Sequence, residues 1–196
     1  MWTWITIIAI IAILVLFVVG IYNRLITLKN QVKNAWSQID VQLQRRYDLI
    51  PNLVETVKGY MSFEKGTLEA VVQARSQAIA AKESLNRSGG PTEGSIKGLL
   101  GAETSLQNSL GHILALAENY PQLKASETMQ NLQEELSSTE NKVAFARQAY
   151  NDQVMQYNTA QQQFPAVLAA SAFGHHPVEL FEVNNAEAKQ AVKVKF

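Results

Sequence analysis

An uninterrupted apolar segment near the N-terminus constrains this chain more than any other feature. Ile5 to Ile21 contains one Thr, one Gly and otherwise only Ala, Val, Ile, Leu and Phe, with no charged residue. Extended back through Trp4 and Trp2, a helix of this length spans about 30 Å, the thickness of a bilayer's hydrocarbon core. The two tryptophans at one end and Tyr22 at the other suit the two membrane interfaces. The sequence therefore predicts a single transmembrane helix.

Two other interpretations of this segment are disfavoured. A secretory signal peptide has a basic region before a shorter apolar core, and a small-residue cleavage site after it. Here no Lys or Arg precedes the segment, Val18-Val19-Gly20 is a poor cleavage site, and the chain has no cysteine for lipid attachment. The amphipathic helix of a soluble protein would keep a polar face, whereas this segment is apolar all round.

Basic residues predict the orientation of the span. None precedes it, whereas Arg24, Lys29 and Lys33, and then Arg45 and Arg46, follow it. Lys and Arg near the ends of a span favour the cytoplasmic side. We therefore expect a single-pass protein of the inner membrane, with the N-terminus outside and the bulk of the chain in the cytoplasm.

Composition limits the remaining chain to an ordinary helical domain. The 17 basic residues balance the 17 acidic ones, so no excess of positive charge indicates a nucleic-acid partner. The absence of cysteine excludes disulfides and thiolate metal sites, without deciding the compartment. Abundant Ala, Gln, Leu and Glu favour long helices. The predicted fold is all-α, with the transmembrane helix continuous with a long antiparallel helical bundle.

An apolar seam at nearly heptad spacing follows the span and predicts that the first helix leaves the membrane as one rod. The rod is expected to end near Arg46, since Pro51 cannot donate a backbone hydrogen bond, with Asp48 capping the next helix. The seam needs a covering partner, either from the same chain or, less favoured, from a neighbouring copy. It consists of Leu25, Leu28, Val32, Ala35, Ile39 and Leu43.

Further apolar stripes predict three more long helices and a short one. The domain division is a transmembrane anchor over 1–22, a bundle over 23–174 and a C-terminal tail over 175–196. Within the tail, Val178 to Val183 is predicted to form a short extended patch, and Val192–Phe196 a strand or a loosely held end. The helices are expected to run from the region of Pro51 to about Ser84, from Ser95 to Asn119, from Ser126 to Phe164 and from Ala166 to Ala172, with a flexible loop over 84–95.

Several motifs resemble the bacterial LemA family. The closest are Val32–Arg46, which reads VKNAWSQIDVQLQRR, and Tyr47–Val54, which reads YDLIPNLV. Ala117–Ala125 and Ala146–Asn151 are also similar to its pattern. The resemblance covers about residues 21–182.

The resemblance implies a membrane-anchored, all-helical antiparallel bundle. It assigns no catalytic residues, because the family has no settled activity, and we expect no cofactor. Some relatives are similar to lipoproteins and have a cysteine just before the Tyr-Asn pair, where this chain has Ile21. Lipoproteins face away from the cytoplasm, so the resemblance to them argues against the orientation predicted from the basic residues.

Charged residues close to the apolar stripes are candidates for a structural or assembly role. Arg45, Arg46 and Asp48 either form a solvated helix end or bind acidic groups of a neighbouring helix or subunit. A charge inside such a seam must be paired, because an unpaired buried charge costs several kcal/mol. The expected acceptors are Glu64, Glu118 and Glu140, and Arg75 and Arg147 have similar surroundings.

An enzymatic role is the least favoured of three functions. His175 and His176, with Glu179 and Glu182, are the only metal-like cluster, and they lack the helical spacing of a zinc protease site. The favoured function is a structural or assembly protein at the lipid bilayer, expected to be a homo-oligomer. Second is an adaptor for a membrane protein partner such as a protease, and third a metal-dependent hydrolase.

Overall fold

The computed structural model describes residues 1–61, 64–88 and 90–182. Within these residues the chain is all-α, as predicted, and no strand is present. The helices are α1 (Trp2–Lys58), α2 (Lys65–Arg87), α3 (Glu93–Ala117), α4 (Pro121–Lys124), α5 (Glu127–Gln162) and α6 (Ala166–Ala172).

The four long helices run alternately up and down from the end of the apolar segment. α1 packs lengthwise against α5, and α2 packs against α3, with α1 also contacting α2. Trp36 contacts Tyr150 and Arg46 contacts Glu140, which fixes the antiparallel register of α1 and α5. This pairing buries the seam of α1 inside its own chain.

Burial along the seam shows that its covering partner is intramolecular. Leu25, Ile39 and Leu43 are almost fully buried, and Val32 is 5% exposed. A substitution at Val32 would therefore disturb the core of the bundle. Val41 lies on the same helix and is 60% exposed.

The prediction that Pro51 ends the first helix was wrong. α1 passes through Pro51 and continues to Lys58 without interruption. In a helix the amide of residue 51 would donate to the carbonyl oxygen of Tyr47, and proline has no such amide. The Arg75 side chain of α2 donates to that oxygen instead, with its Nε 2.7 Å away. A tertiary contact thus satisfies the group that the proline leaves free, and Asp48 lies inside α1 rather than at a helix start.

The other helix boundaries lie close to the predicted ones, apart from the start of α2 and the short α4, which was not predicted. α2 begins at Lys65, after a turn that follows Gly59, because the first helix takes the residues up to Lys58. α3 begins earlier than expected, since Thr92 and Ser95 form a reciprocal capping box. Ser126 occupies the N-cap position of α5 without a side-chain cap bond.

The chain after α6 runs back along α5 in the opposite direction. Asn158 binds both the amide and the carbonyl of Val178, at 2.9 and 2.8 Å, and Asn151 does the same for Phe181, at 2.8 and 3.4 Å. Asn151 and Asn158 are seven residues apart, which is about 10 Å along a helix. Three residues of extended chain, from Val178 to Phe181, cover the same distance. The predicted patch is therefore held as far as Phe181. Val183 and the predicted strand or loose end over Val192–Phe196 lie outside the described residues.

From Trp2 to Phe17 the apolar segment of α1 is not covered by any other described part of the chain. Trp2 is 85% exposed, and the large apolar residues from Ile5 to Phe17 remain about half exposed or more. By length and composition, α1 is the one helix of the described residues that can cross a membrane. No break separates this segment from the bundle, as expected for a rod that leaves the bilayer.

Candidate functional site

Arg46 lies at the centre of a charged network between three helices. Its side chain is 5% exposed and forms ion pairs with Glu103 of α3 and Glu140 of α5. The Glu103 side chain is 12% exposed and that of Glu140 is 45% exposed. Burial of an arginine requires such partners, because desolvation of an unpaired charge costs several kcal/mol. Glu140 was among the predicted acceptors, whereas Glu103 was not.

Tyr47 adds a neutral donor to the same network. Its hydroxyl donates to Glu103, which also binds Arg46. Burial raises the pKa of Tyr47 well above its ordinary value; the neighbouring Arg46 opposes that shift and Asp40 adds to it. The phenol therefore stays protonated at neutral pH and keeps the proton that it donates to Glu103.

A second polar cluster, missed at the level of sequence, lies between α1 and α2. The Lys82 Nζ is 2.8 Å from the Gln44 Oε1 and 3.3 Å from the Asp40 Oδ1, and it lies 5.6 Å from the centre of the Tyr47 ring. Asn86 bridges Asp40 and the indole of Trp36, with both bonds at 3.1 Å. The contacts with Gln44 and Asp40 thus satisfy the charge of Lys82, which is 6% exposed.

The remaining predicted charges do not join these clusters. Arg45 and Asp48 are exposed, and Asp48 accepts from Gln44 at 2.8 Å. Glu118 is exposed and pairs with Lys124, so it does not serve as an interior acceptor. Arg147 is half-buried and has no ion pair with another described residue. Their proposed assembly role stays a prediction.

His175 is buried at the end of the bundle next to the apolar segment of α1. It is 8% exposed, and its Nδ1 lies 2.9 Å from the Tyr157 hydroxyl. Burial lowers the pKa of His175, and Lys29 and His176 lower it further, so the ring is neutral at pH 7. Burial also raises the pKa of Tyr157. Over the part of the chain that the structure describes, no group of three His, Cys, Asp or Glu side chains is placed to hold a metal ion.

An exposed apolar strip runs along the outer face of the α1–α5 pair. We call Val41 and Phe145 the α1–α5 strip; they are 60% and 72% exposed and line one shallow groove of about 580 Å³. The Oε1 of Gln42 beside them is buried without a hydrogen-bond partner. Single exposed apolar side chains are normal on a protein surface, but two that line the same groove form a candidate contact surface. The groove is completed by Ser37, Gln38, Lys142, Ala146 and Ala149.

The buried polar clusters and the α1–α5 strip differ in whether they can contact another molecule. The bonds of Arg46 and Lys82 are made to residues of the same chain, so these side chains fix the register of the helices and present no free charge to a ligand. The α1–α5 strip is open, apolar and on the surface. It is therefore a candidate surface for contact with another macromolecule.

Comparison with known proteins gives a consistent family. The model of the LemA family matches residues 35–196. Magnetosome protein MamQ of Magnetospirillum gryphiswaldense is 27% identical over 174 residues, which cover 82% of this chain and 64% of that protein. Magnetosome protein MamQ 1 of Paramagnetospirillum magneticum is 26% identical over the same shares of the two chains.

A relative bearing the family's own name is also similar. Protein LemA of Metamycoplasma hominis is 24% identical over 169 residues, covering 86% of this chain and 72% of its own length. The alignments with the magnetosome proteins thus cover less than two thirds of those proteins, and the likeness concerns the region that they share with this chain.

Proposed function

Because the chain belongs to the LemA family, we propose that it is a membrane-anchored structural protein whose helical bundle associates with further copies of itself. α1 crosses the inner membrane once, and the bundle stands in the cytoplasm. The names of the relatives describe magnetosome proteins, and the shared region suggests membrane association rather than a magnetosome role for this chain. No catalytic residue is assigned.

The α1–α5 strip carries the proposal. Val41 and Phe145 face solvent on the two helices that form the longest pair of the bundle. α1 is rigid from the bilayer to this strip, so several copies in one membrane would present their strips at the same height. Lateral association would remove this apolar surface from water, and each Å² buried contributes about 25 cal/mol. A homo-oligomer with closed symmetry is the expected product.

The test is the size of the complete 196-residue chain in mild detergent, measured by light scattering with a detergent correction. We expect an oligomer for the unchanged protein and a shift towards monomer for Phe145→Glu, because a carboxylate in the strip would have to be desolvated. Met155→Glu is the matched control: Met155 is on the same helix, is 60% exposed and does not line the groove.

Two results would contradict the proposal. A monomer for the unchanged protein at all concentrations would reject self-association and leave the adaptor function, in which the strip binds a different membrane protein. An equal loss of oligomer in Phe145→Glu and Met155→Glu would show that the strip is not the contact surface.

A further inference from the structure

A second group of exposed apolar residues lies at the opposite end of α5 from its start, where the bundle meets the apolar segment of α1. Phe164 is 81% exposed, Leu168 67%, Phe173 51% and Val167 40%. We call these four residues the juxtamembrane patch. They lie within ten positions of the chain, whereas α5 exposes only Phe145 and Met155 to a comparable degree among its large apolar residues.

Contacts with α1 set the height of the patch. The Phe173 and Tyr22 rings meet edge to face, with their centres 4.9 Å apart. Ala170 of α6 packs with Leu25 and Ala160 in a small apolar cluster, and Ile21 lies against it. Since Ile21 and Tyr22 end the apolar segment, these contacts place α6 at the level where α1 leaves the bilayer.

The register of the α1–α5 pair gives the same height independently. Trp36 lies beside Tyr150, and Leu25 beside Ala160. Because both helices rise about 1.5 Å per residue, continuing this antiparallel pairing puts Phe164 opposite the region of Tyr22. α5 ends at Gln162, and the chain turns aside into α6 at that level.

The chemistry of this region fits a lipid surface. From residue 153 to residue 178 the sequence has no Asp, Glu, Lys or Arg, so entry of the patch into lipid does not require desolvation of a charge within this stretch of the chain. Arg24 is exposed two residues beyond Tyr22, and Lys29 is exposed about one and a half turns further on. Such side chains attract the phosphates of anionic phospholipids. Apolar and aromatic side chains beside a basic rim are typical of segments that lie in the interface.

We propose that the juxtamembrane patch is a second membrane contact, in which Phe164, Val167, Leu168 and Phe173 enter the headgroup region of the bilayer that α1 crosses. This inference rests on the span of the proposed function. The span holds the patch against lipid permanently, so even weak insertion is effective. Two attachment points instead of one would fix the rotation of the bundle about α1.

The chain has no cysteine, so single-cysteine variants can report the contact. The complete chain carrying Phe164→Cys or Leu168→Cys is labelled with an environment-sensitive fluorophore and reconstituted in vesicles of phosphatidylethanolamine and phosphatidylglycerol. Quenching by doxyl-labelled lipid and by aqueous iodide is then measured. We expect several-fold more lipid quenching at residues 164 and 168 than at the control Val72→Cys. Val72 is 50% exposed on α2, three residues before Arg75, which contacts Tyr47 about 38 Å beyond Tyr22 along α1.

A label at Ile11→Cys, within the apolar segment, separates the two hypotheses. Lipid quenching at residue 11 together with iodide quenching at residues 164 and 168 would overturn the second membrane contact and leave the anchor intact. Protection of residues 164 and 168 from both quenchers would also overturn it, because protein would then cover the patch. Absence of lipid quenching at residue 11 would reject the span and, with it, this inference.

Discussion

At the scale of single residues, the two carboxylates of the Arg46 network are expected to differ in energetic weight. Glu103 is mostly buried and also accepts from Tyr47, whereas Glu140 is nearly half exposed. Glu103→Gln should lower the free energy of unfolding by about 2–4 kcal/mol, because it leaves buried donors poorly paired. Glu140→Gln should cost about 1 kcal/mol or less, as for other solvated pairs. Denaturant unfolding of the detergent-solubilised protein measures both.

The control for that comparison is Glu118→Gln, which removes the exposed pair with Lys124 and should have little effect. Equal costs for Glu103→Gln and Glu140→Gln would show that burial does not set the strength of these pairs.

Four charged residues of the bundle share a sequence pattern that predicts their location. Arg46 lies three residues after Leu43 and four before Ile50, so it occupies a position of the apolar seam itself. Lys82, Glu103 and Glu140 occupy equivalent positions between apolar residues of their own helices. A charge at such a position turns towards the neighbouring helices, which predicts burial with a partner. Arg46, Lys82 and Glu103 are buried or nearly so, whereas the Glu140 side chain remains 45% exposed. The pattern identifies these four charged residues, but which partner each of them binds depends on how the helices pack.

At the scale of helices, the Arg75–Tyr47 contact explains how α1 passes Pro51. Arg75→Met keeps most of the aliphatic stem and removes the donor, so the free energy of unfolding should fall by about 1–3 kcal/mol. In a Pro51→Ala background the new amide can donate to the Tyr47 carbonyl. The cost of Arg75→Met should then fall several-fold, and a double-mutant cycle measures this coupling.

Arg45→Met provides the matched control, because Arg45 is an exposed arginine of α1. It should change stability little in either background. If Arg75→Met costs the same in the unchanged chain and in the Pro51→Ala background, the bond to Tyr47 is not what holds α1 together at the proline.

Local rules alone could not predict this continuous helix. Proline removes one backbone donor and usually ends or kinks a helix. Here the missing donor comes from Arg75 on α2, which lies 28 positions after Tyr47 in the sequence. Its contribution is visible only when α1 and α2 are packed together. The seam of α1 and the short α6 were predictable, by contrast, because periodicity and a flanking proline are local features.

At the scale of the whole molecule, the predicted orientation can be tested with exposed sites on either side of the span. Trp2 is 85% exposed, and the Lys58 side chain at the far end of α1 is 63% exposed. With Lys and Arg concentrated after the span, we expect a membrane-impermeant maleimide added to intact cells to modify Trp2→Cys and not Lys58→Cys. After the membrane is permeabilised, both should react.

Modification of Lys58→Cys in intact cells, with Trp2→Cys protected, would reverse the orientation and place the bundle outside the cytoplasm.

The domain division into anchor, bundle and tail also stays a prediction. The all-α architecture, in contrast, was predictable from composition and apolar periodicity. The juxtamembrane patch was not, since α6 looks like an ordinary short helix until its contacts with Tyr22 and Leu25 are known.

Because α1 continues through Pro51 without a break, a movement of its apolar end would be transmitted to its far end. From Tyr22 to Lys58 its axis extends about 54 Å, so a tilt change of about ten degrees within the bilayer displaces the far tip by roughly 9 Å. Transmembrane helices adjust their tilt to the thickness of the surrounding lipid. The tip of this bundle would therefore convert a small difference in lipid thickness into a sideways movement larger than the width of a side chain.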